Sequence, residues 1–302
     1  MKYKIILLFV VLLCTSCEKT VTSHEIVPLY ENASLSENEK ELNALFQFLG
    51  YSELSDSTMS LWETSDAVIQ FAPDTYKIYP TLTDLEYTLG KILNNASEQG
   101  IELPERKYVA VVWGKLKSMA FVDDYMFIAL NHYLGSEYLG YINWPDYLKP
   151  DKTPQRLPYD IVEAMIATKY PYDGTTALSR MLYEGALTLA KMQLVPDANL
   201  AEALGYSYEQ LSWLEDNRKN LWYKIVGDKL LYNTSQMVAE RLVSPAPSTN
   251  IIAANVPGRA GRYIGYRLVK DYLKDNDASL VEILSPTFYN DERILRHINM
   301  SD

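Results

Sequence analysis

Cysteine is almost missing from this 302-residue chain: the two present, Cys14 and Cys17, both fall within the first seventeen residues. The remainder therefore has no disulfide and no spare thiol. Histidine is nearly as scarce. His24, His132 and His297 are the only three, with no close His–His or Cys–His spacing, so the sequence offers no cluster of ligands for a catalytic zinc. A Gly-x-Ser-x-Gly elbow is absent too, which leaves a serine triad without its nucleophile turn. The glycines of Pro257-Gly-Arg-Ala-Gly-Arg-Tyr-Ile-Gly-Tyr-Arg267 do not have dinucleotide spacing, and no βαβ unit surrounds them. Basic charge is in deficit, 28 Lys and Arg against 39 Asp and Glu for a net −11. No surplus exists to neutralise phosphates, so no nucleic-acid partner is expected.

What is present describes a globular protein, with 48% hydrophobic and 22% charged residues. The length suffices for one large domain or two ordinary ones. Twenty-four tyrosines suit half-wet packing surfaces and a groove for peptide or glycan. Lys2 and Lys4 precede an apolar stretch, Ile5 to Leu13, that is too short to span a membrane and ends in Cys14-Thr15-Ser16-Cys17. That layout is a secretory signal over residues 1–17. Its end resembles a bacterial lipobox with Cys17 as the lipidated residue, although Cys14 stands where leucine is usual. A plain signal peptide with an incidental cysteine is the alternative. A diacyl group plus an N-acyl chain such as palmitate would hold the protein on a lipid bilayer. Residues 18–37 are polar and aperiodic and read as a flexible tether. Residues 38–302 read as a single α+β domain.

Leu42, Leu45, Phe46 and Leu49 predict an amphipathic helix over Glu39 to Leu49, stopped by Gly50. A second helix runs from Leu82 to Leu93. Tyr108 to Trp113 and Tyr125 to Leu130 predict strands, with Asp123-Asp124 as a turn, and hence a small mixed sheet with an antiparallel pair. Beyond a Pro- and aromatic-rich loop, Tyr141 to Leu157, the chain is mainly helical. Helices are expected over about Tyr159–Lys169, Thr176–Leu194, Ser207–Ile225, Thr234–Leu242, Gly261–Lys274 and Ser279–Leu284. Ser207 with Gln210, and Ser279 with Glu282, have capping-box spacing.

The helix over Thr176 to Leu194 is apolar on two neighbouring faces, so it is expected to be covered on most sides. Glu184 is its one carboxylate. A zinc-protease helix would read His-Glu-x-x-His, whereas these five positions read Tyr183-Glu184-Gly185-Ala186-Leu187. Glu184 is therefore either a general base or acid against apolar surroundings, or one half of an i, i+4 pair with Arg180. Arg259 and Arg262 open the Gly261 helix, where they could grip a carboxylate ligand, Glu184 itself, or nearby surface acids. Gly261 and Gly265 would let another helix approach, with Gly185 as a candidate facing partner.

Several stretches, in order, resemble one family: Tyr133-Leu-Gly135, Met181-Leu-Tyr-Glu-Gly-Ala186, Tyr208-Glu-Gln-Leu-Ser-Trp213, Asn220-Leu-Trp222, Leu230-Leu-Tyr232 and Pro257 to Val269. They are similar to the gliding-motility lipoprotein family GldB of Bacteroidota. The resemblance implies a cell-envelope lipoprotein, facing the periplasm or displayed on the outer-membrane surface, on a zincin-like metallopeptidase scaffold. It also implies inactivity, because the family already carries Tyr-Glu where a peptidase has His-Glu. Asn131 departs from the aspartate usual before Tyr-Leu-Gly, and Arg218 from an expected glutamate. On this reading the protein is a non-catalytic pseudo-peptidase without metal or cofactor. A cleft lined by Tyr183, Glu184, Arg262 and Tyr266 would hold a segment of an envelope protein or another envelope component. The alternatives are a peptide or glycan hydrolase using Glu184 as acid or base, and a nutrient-binding surface lipoprotein.

Overall fold

A computed structural model describes residues 23–297. The leader and Cys17 lie outside the described residues, as do residues 18–22 of the stretch read as a tether.

The first half runs β1 (Ile26–Pro28), α1 (Leu29–Asn32), α2 (Glu39–Leu49), α3 (Asp56–Glu63), α4 (Asp66–Ile78), α5 (Thr83–Glu98), β2 (Lys107–Val111), β3 (Met119–Val122) and β4 (Tyr125–Ala129). The second half runs α6 (Leu157–Lys169), α7 (Ala177–Leu194), α8 (Leu200–Leu204), α9 (Tyr208–Asp216), α10 (Arg218–Gly227), α11 (Gln236–Val243), α12 (Ala260–Asp275), α13 (Leu280–Ile283) and α14 (Pro286–Tyr289). This is the mixed α+β arrangement expected, with the sheet in the first half.

The four strands lie in the order β1-β2-β4-β3, parallel at β1/β2 and β2/β4 and antiparallel at β3/β4. The two strands read from the sequence thus run parallel. The antiparallel pair comes from β3, whose four residues are too short to show a period. Asp123-Asp124 forms the β3–β4 turn, with Asp123 at φ +48°. The stretch read as a flexible tether also needs correcting, because Ile26 to Pro28 add an edge strand to β2. Ile26, Leu29 and Tyr30 are buried there. Three strand residues give no legible alternation, so the sheet alone reveals them.

Alternation along β2 and β4 divides the strands between two cores. Tyr108, Ala110, Met126 and Ile128 face α5 and the Leu157, Ile161 and Met165 side of α6. Val109, Val111, Phe127 and Ala129 face α2 and α3. With both faces covered, the strands read as continuous apolar runs. The other side of α6, Tyr159, Val162 and Ile166, joins the largest core, built on α7 and α12. A sheet, a middle helix and a helical layer follow in that order, and α6 touches both.

Local signals were kept where they were strong. Gly50 ends α2 in the left-handed conformation, and Ser207, Ser279 and Thr176 close capping boxes. The expected Ser207–Ile225 helix is instead broken at Asn217, whose amide donates to the Trp213 carbonyl at 2.8 Å. A side chain that competes for backbone groups favours such a break. Helices α3 and α4 lie in a stretch given no helix from the sequence.

Candidate functional site

Helix α7 is buried along nearly its whole length, and its principal neighbours are helices. It crosses α12 where Gly185 meets Gly265. A Cβ on Gly265 would run into the Met181 carbonyl, and one on Gly185 into the Gly265 backbone. The small-residue contact expected of Gly185 is therefore with Gly265, while Gly261 packs on Leu242 of α11.

That close crossing sets Arg262 over Glu184. Glu184 is 3% exposed and is held from two sides, by Arg180 Nη2 at 3.0 Å and Arg262 Nε at 3.2 Å. Arg180 also reaches Glu240 and lies over the rings of Tyr172 and Tyr183. Arg262 continues to Glu163 of α6 at 3.2 Å and donates to the Val243 carbonyl at 2.8 Å. Glu163 in turn accepts from the buried Lys191 of α7 at 2.8 Å. Burial alone would raise the Glu163 pKa, but Lys191, Arg262 and Arg156 hold it well below the usual carboxylate range. Burial pushes the Lys191 ammonium down, and Glu163 opposes that shift.

In front of this network lies a cleft of ≈ 460 Å³, bounded by β3 and the residues before it, the loop around 148–152, α6, Pro245 and the start of α12. Arg259 and Arg262 both line it. Arg259 is 5% exposed and left-handed at φ +64°; it forks onto Asp151 and donates to the carbonyls of Leu204 and Gly205. Tyr183, Glu184 and Tyr266, expected to line the cleft, do not: Glu184 lies behind its wall, covered by Arg262. Tyr183 is buried against Tyr172 and Tyr289 and donates to the Tyr170 carbonyl at 2.8 Å, and Tyr266 is packed in the helical core. Of the predicted set, Glu184 and Arg262 are brought together, Arg259 lines the same cleft as Arg262, and the two tyrosines serve packing.

The cleft residues that sequence reasoning missed are Ser118, Tyr133, Asp151, Lys152, Arg156, Asp160 and Glu163. Arg156 pairs with Asp160 at 2.8 Å, and the Tyr133 hydroxyl donates to Asp160 at 2.9 Å. Tyr133 belongs to one of the stretches that carry the family resemblance, and for the others the only sequence signal is the Arg156–Asp160 i, i+4 spacing, which any wet helix face can show.

His132, behind the rim, has its Nδ1 3.0 Å from Ser118 Oγ. A Ser–His contact raises the question of a nucleophile and its base. Burial, then the Lys152 charge, pushes His132 down to about 3, and its further partner is the backbone at Lys115. An imidazole so far below neutrality is a weak base, so the pair fits a structural role better than proton abstraction. Nearby, Asn131 clamps Trp113 by two points: its amide donates to the Trp113 carbonyl at 3.0 Å and its oxygen accepts the Trp113 N–H at 3.3 Å. An ionised aspartate could accept but not donate, which gives the asparagine a physical reason.

The residues present do not fit the zinc that a peptidase scaffold implies. Tyr183 and Leu187 occupy the two imidazole positions and are buried, and the intervening glutamate is held by two guanidinium groups. Among the described residues no three His, Cys, Asp or Glu side chains form a metal-binding group. Among the same residues, no helix is long and apolar enough to cross a membrane.

In comparison with known proteins, the model of a family described as Gliding motility protein GldB matches residues 19–297. No curated protein and no solved structure matches the chain.

Proposed function

The chain belongs to the GldB family of gliding motility lipoproteins, and from that premise we propose a non-catalytic, membrane-anchored envelope protein that holds a partner segment in the cleft between β3, α6 and α12. The observation that carries the reading is the state of Glu184. A general base needs a lone pair facing the substrate proton and an access route to it. Glu184 instead spends its carboxylate on Arg180 and Arg262 and is 3% exposed. It supports the cleft wall through Arg262. On this reading, the zincin-like scaffold implied by the resemblance persists as a frame without its chemistry, and Cys17 supplies the lipid anchor. The hydrolase alternative finds no freer acid or base in Glu184. The nutrient-binding alternative shares the anchor and differs in what fills the cleft.

The test is affinity capture of the full-length protein from detergent-solubilised envelope. Ala164 is a partly buried cleft residue on α6. Ala164→Trp is expected to fill the cleft and reduce recovery of a co-purifying envelope protein at least fivefold, with the melting temperature retained. Undiminished recovery, or cleavage of a peptide library that is abolished by Glu184→Gln, would overturn the reading.

A further inference from the structure

We infer that Lys152 makes this cleft a receptor for a single carboxylate, presented by an acidic peptide segment. The inference rests on the partner-binding reading above and names what the partner must carry.

Five cations line the cleft, Lys117, Lys152, Arg156, Arg259 and Arg262, against three carboxylates, Asp151, Asp160 and Glu163. This local excess stands in a chain whose net charge is −11. All three carboxylates are engaged: Asp151 by Arg259, Asp160 by Arg156 and Tyr133, and Glu163 by Lys191 and Arg262. The arginines are engaged as well. Arg156 also donates to the Glu202 carbonyl, Arg259 to those of Leu204 and Gly205, and Arg262 to that of Val243.

Lys152 is different. It is 9% exposed, yet among the described residues it forms no ion pair within 4.0 Å. Its Nζ has the Ser118 hydroxyl at 3.4 Å and the ring faces of Trp144 and Tyr133 at 4.9 and 5.8 Å. Ring faces offset part of the cost of burying an ammonium but do not neutralise it. Asp160 and Asp151 act on Lys152 only from beyond contact, and a buried cation that lines a cleft with no carboxylate in direct contact is a recognition point for one supplied from outside.

The donor arrangement decides which anion. A phosphate calls for several free donors, and the arginine forks that would provide them are committed. Lys117 is exposed at the rim, so the buried wall offers one uncommitted ammonium, Lys152, beside one hydroxyl, which suits a carboxylate with a single charge. The rest of the wall decides what carries it. Met119, Leu148, Ala164, Ala167 and Pro245 give apolar surface, and ≈ 460 Å³ holds a short run of residues around the acid. An anionic lipid surface would be repelled by the acidic chain, whereas one carboxylate on a peptide need only meet this local excess.

The experiment titrates full-length, detergent-solubilised protein with a blocked tetrapeptide containing one glutamate among alanines, and with its glutamine counterpart. The glutamate peptide is expected to bind at least tenfold more tightly. Lys152→Met should abolish that preference while leaving the melting temperature no lower, and inorganic phosphate should compete only at higher concentration than the glutamate peptide. Equal binding of the two peptides to the wild type overturns the inference without need of any variant. So does a preference that survives Lys152→Met, or displacement by phosphate at lower concentration than the glutamate peptide. If Ala164→Trp still costs the envelope partner while the peptides bind equally, the partner site stands and only the carboxylate falls.

Discussion

Two corners of one cleft use similar charged side chains in opposite ways. At the α7–α12 corner Glu163 lies 2.8 Å from Lys191 and 3.2 Å from Arg262, and behind it Glu184 lies 3.0 Å from Arg180 and 3.2 Å from Arg262. At the β3 corner Lys152 is about as buried as Arg262 but has a hydroxyl and two rings where the other cations have carboxylates. With Glu240 on the other side of Arg180, three acids face three bases at the first corner, which fixes how α6, α7 and α12 sit together. The second keeps an ammonium with no carboxylate in direct contact. Burial and residue type therefore do not distinguish a structural ion from a recognition ion. The presence of a partner within reach does.

The comparison breaks most completely if the helices that assemble the paired corner are forced apart. Gly265→Ala sets a methyl group against the Met181 carbonyl. A loss of about 3 kcal/mol or more is expected from such overpacking, read as a lower denaturation midpoint. Removing the central acid should cost somewhat less. Glu163→Gln leaves Lys191 and Arg262 without their shared carboxylate, for about 3 kcal/mol, the low end for a broken buried pair because the Glu163 side chain is still 26% exposed.

The same residue makes a pH prediction. Its folded pKa is depressed, so its contribution is present above the unfolded carboxylate range, near pH 4.5, and is lost as pH falls toward the folded value. Urea denaturation followed from pH 7 to pH 3 should show an acid limb that Glu163→Gln makes shallower. The limb should not vanish, because Asp151, although burial pushes it up, is held low by Arg259 and Arg156. The smallest effect sharpens the contrast. Lys152→Met removes a buried charge that no carboxylate contacts directly, so the melting temperature should hold or rise, a gain of less than about 1 kcal/mol.

Much of the fold was legible because it depends on neighbours in sequence. The apolar periods of α2, α5, α6, α7 and α12, and the Ser207 and Ser279 capping boxes, are local facts that packing did not overrule. Strands β1 and β3 were not legible, being three and four residues long and ordered by the strands they pair with. The Arg180 half of the Glu184 pairing was readable from its i, i+4 spacing, and Glu184 was one of three partners offered for Arg259 and Arg262. The cleft was the least legible part. Asp160 and Glu163 look like an ordinary polar face of α6, and Ser118 and Lys152 are single residues in loops. Tyr183 and Tyr266 flank the telling glycines in sequence, yet their rings are used in the core.

The sequence by itself determined the elements with a clear apolar period, the buried course of α7 and the family, since side-chain period and ordered motifs are written along the chain. Only the tertiary structure decided which charges meet. Ion pairing acts over a few ångströms in space, and the residues concerned come from a strand edge, a loop and three helices that are distant in sequence. The fold brought arginines to Glu184 and Glu163 and left Lys152 facing the cleft with no carboxylate in direct contact.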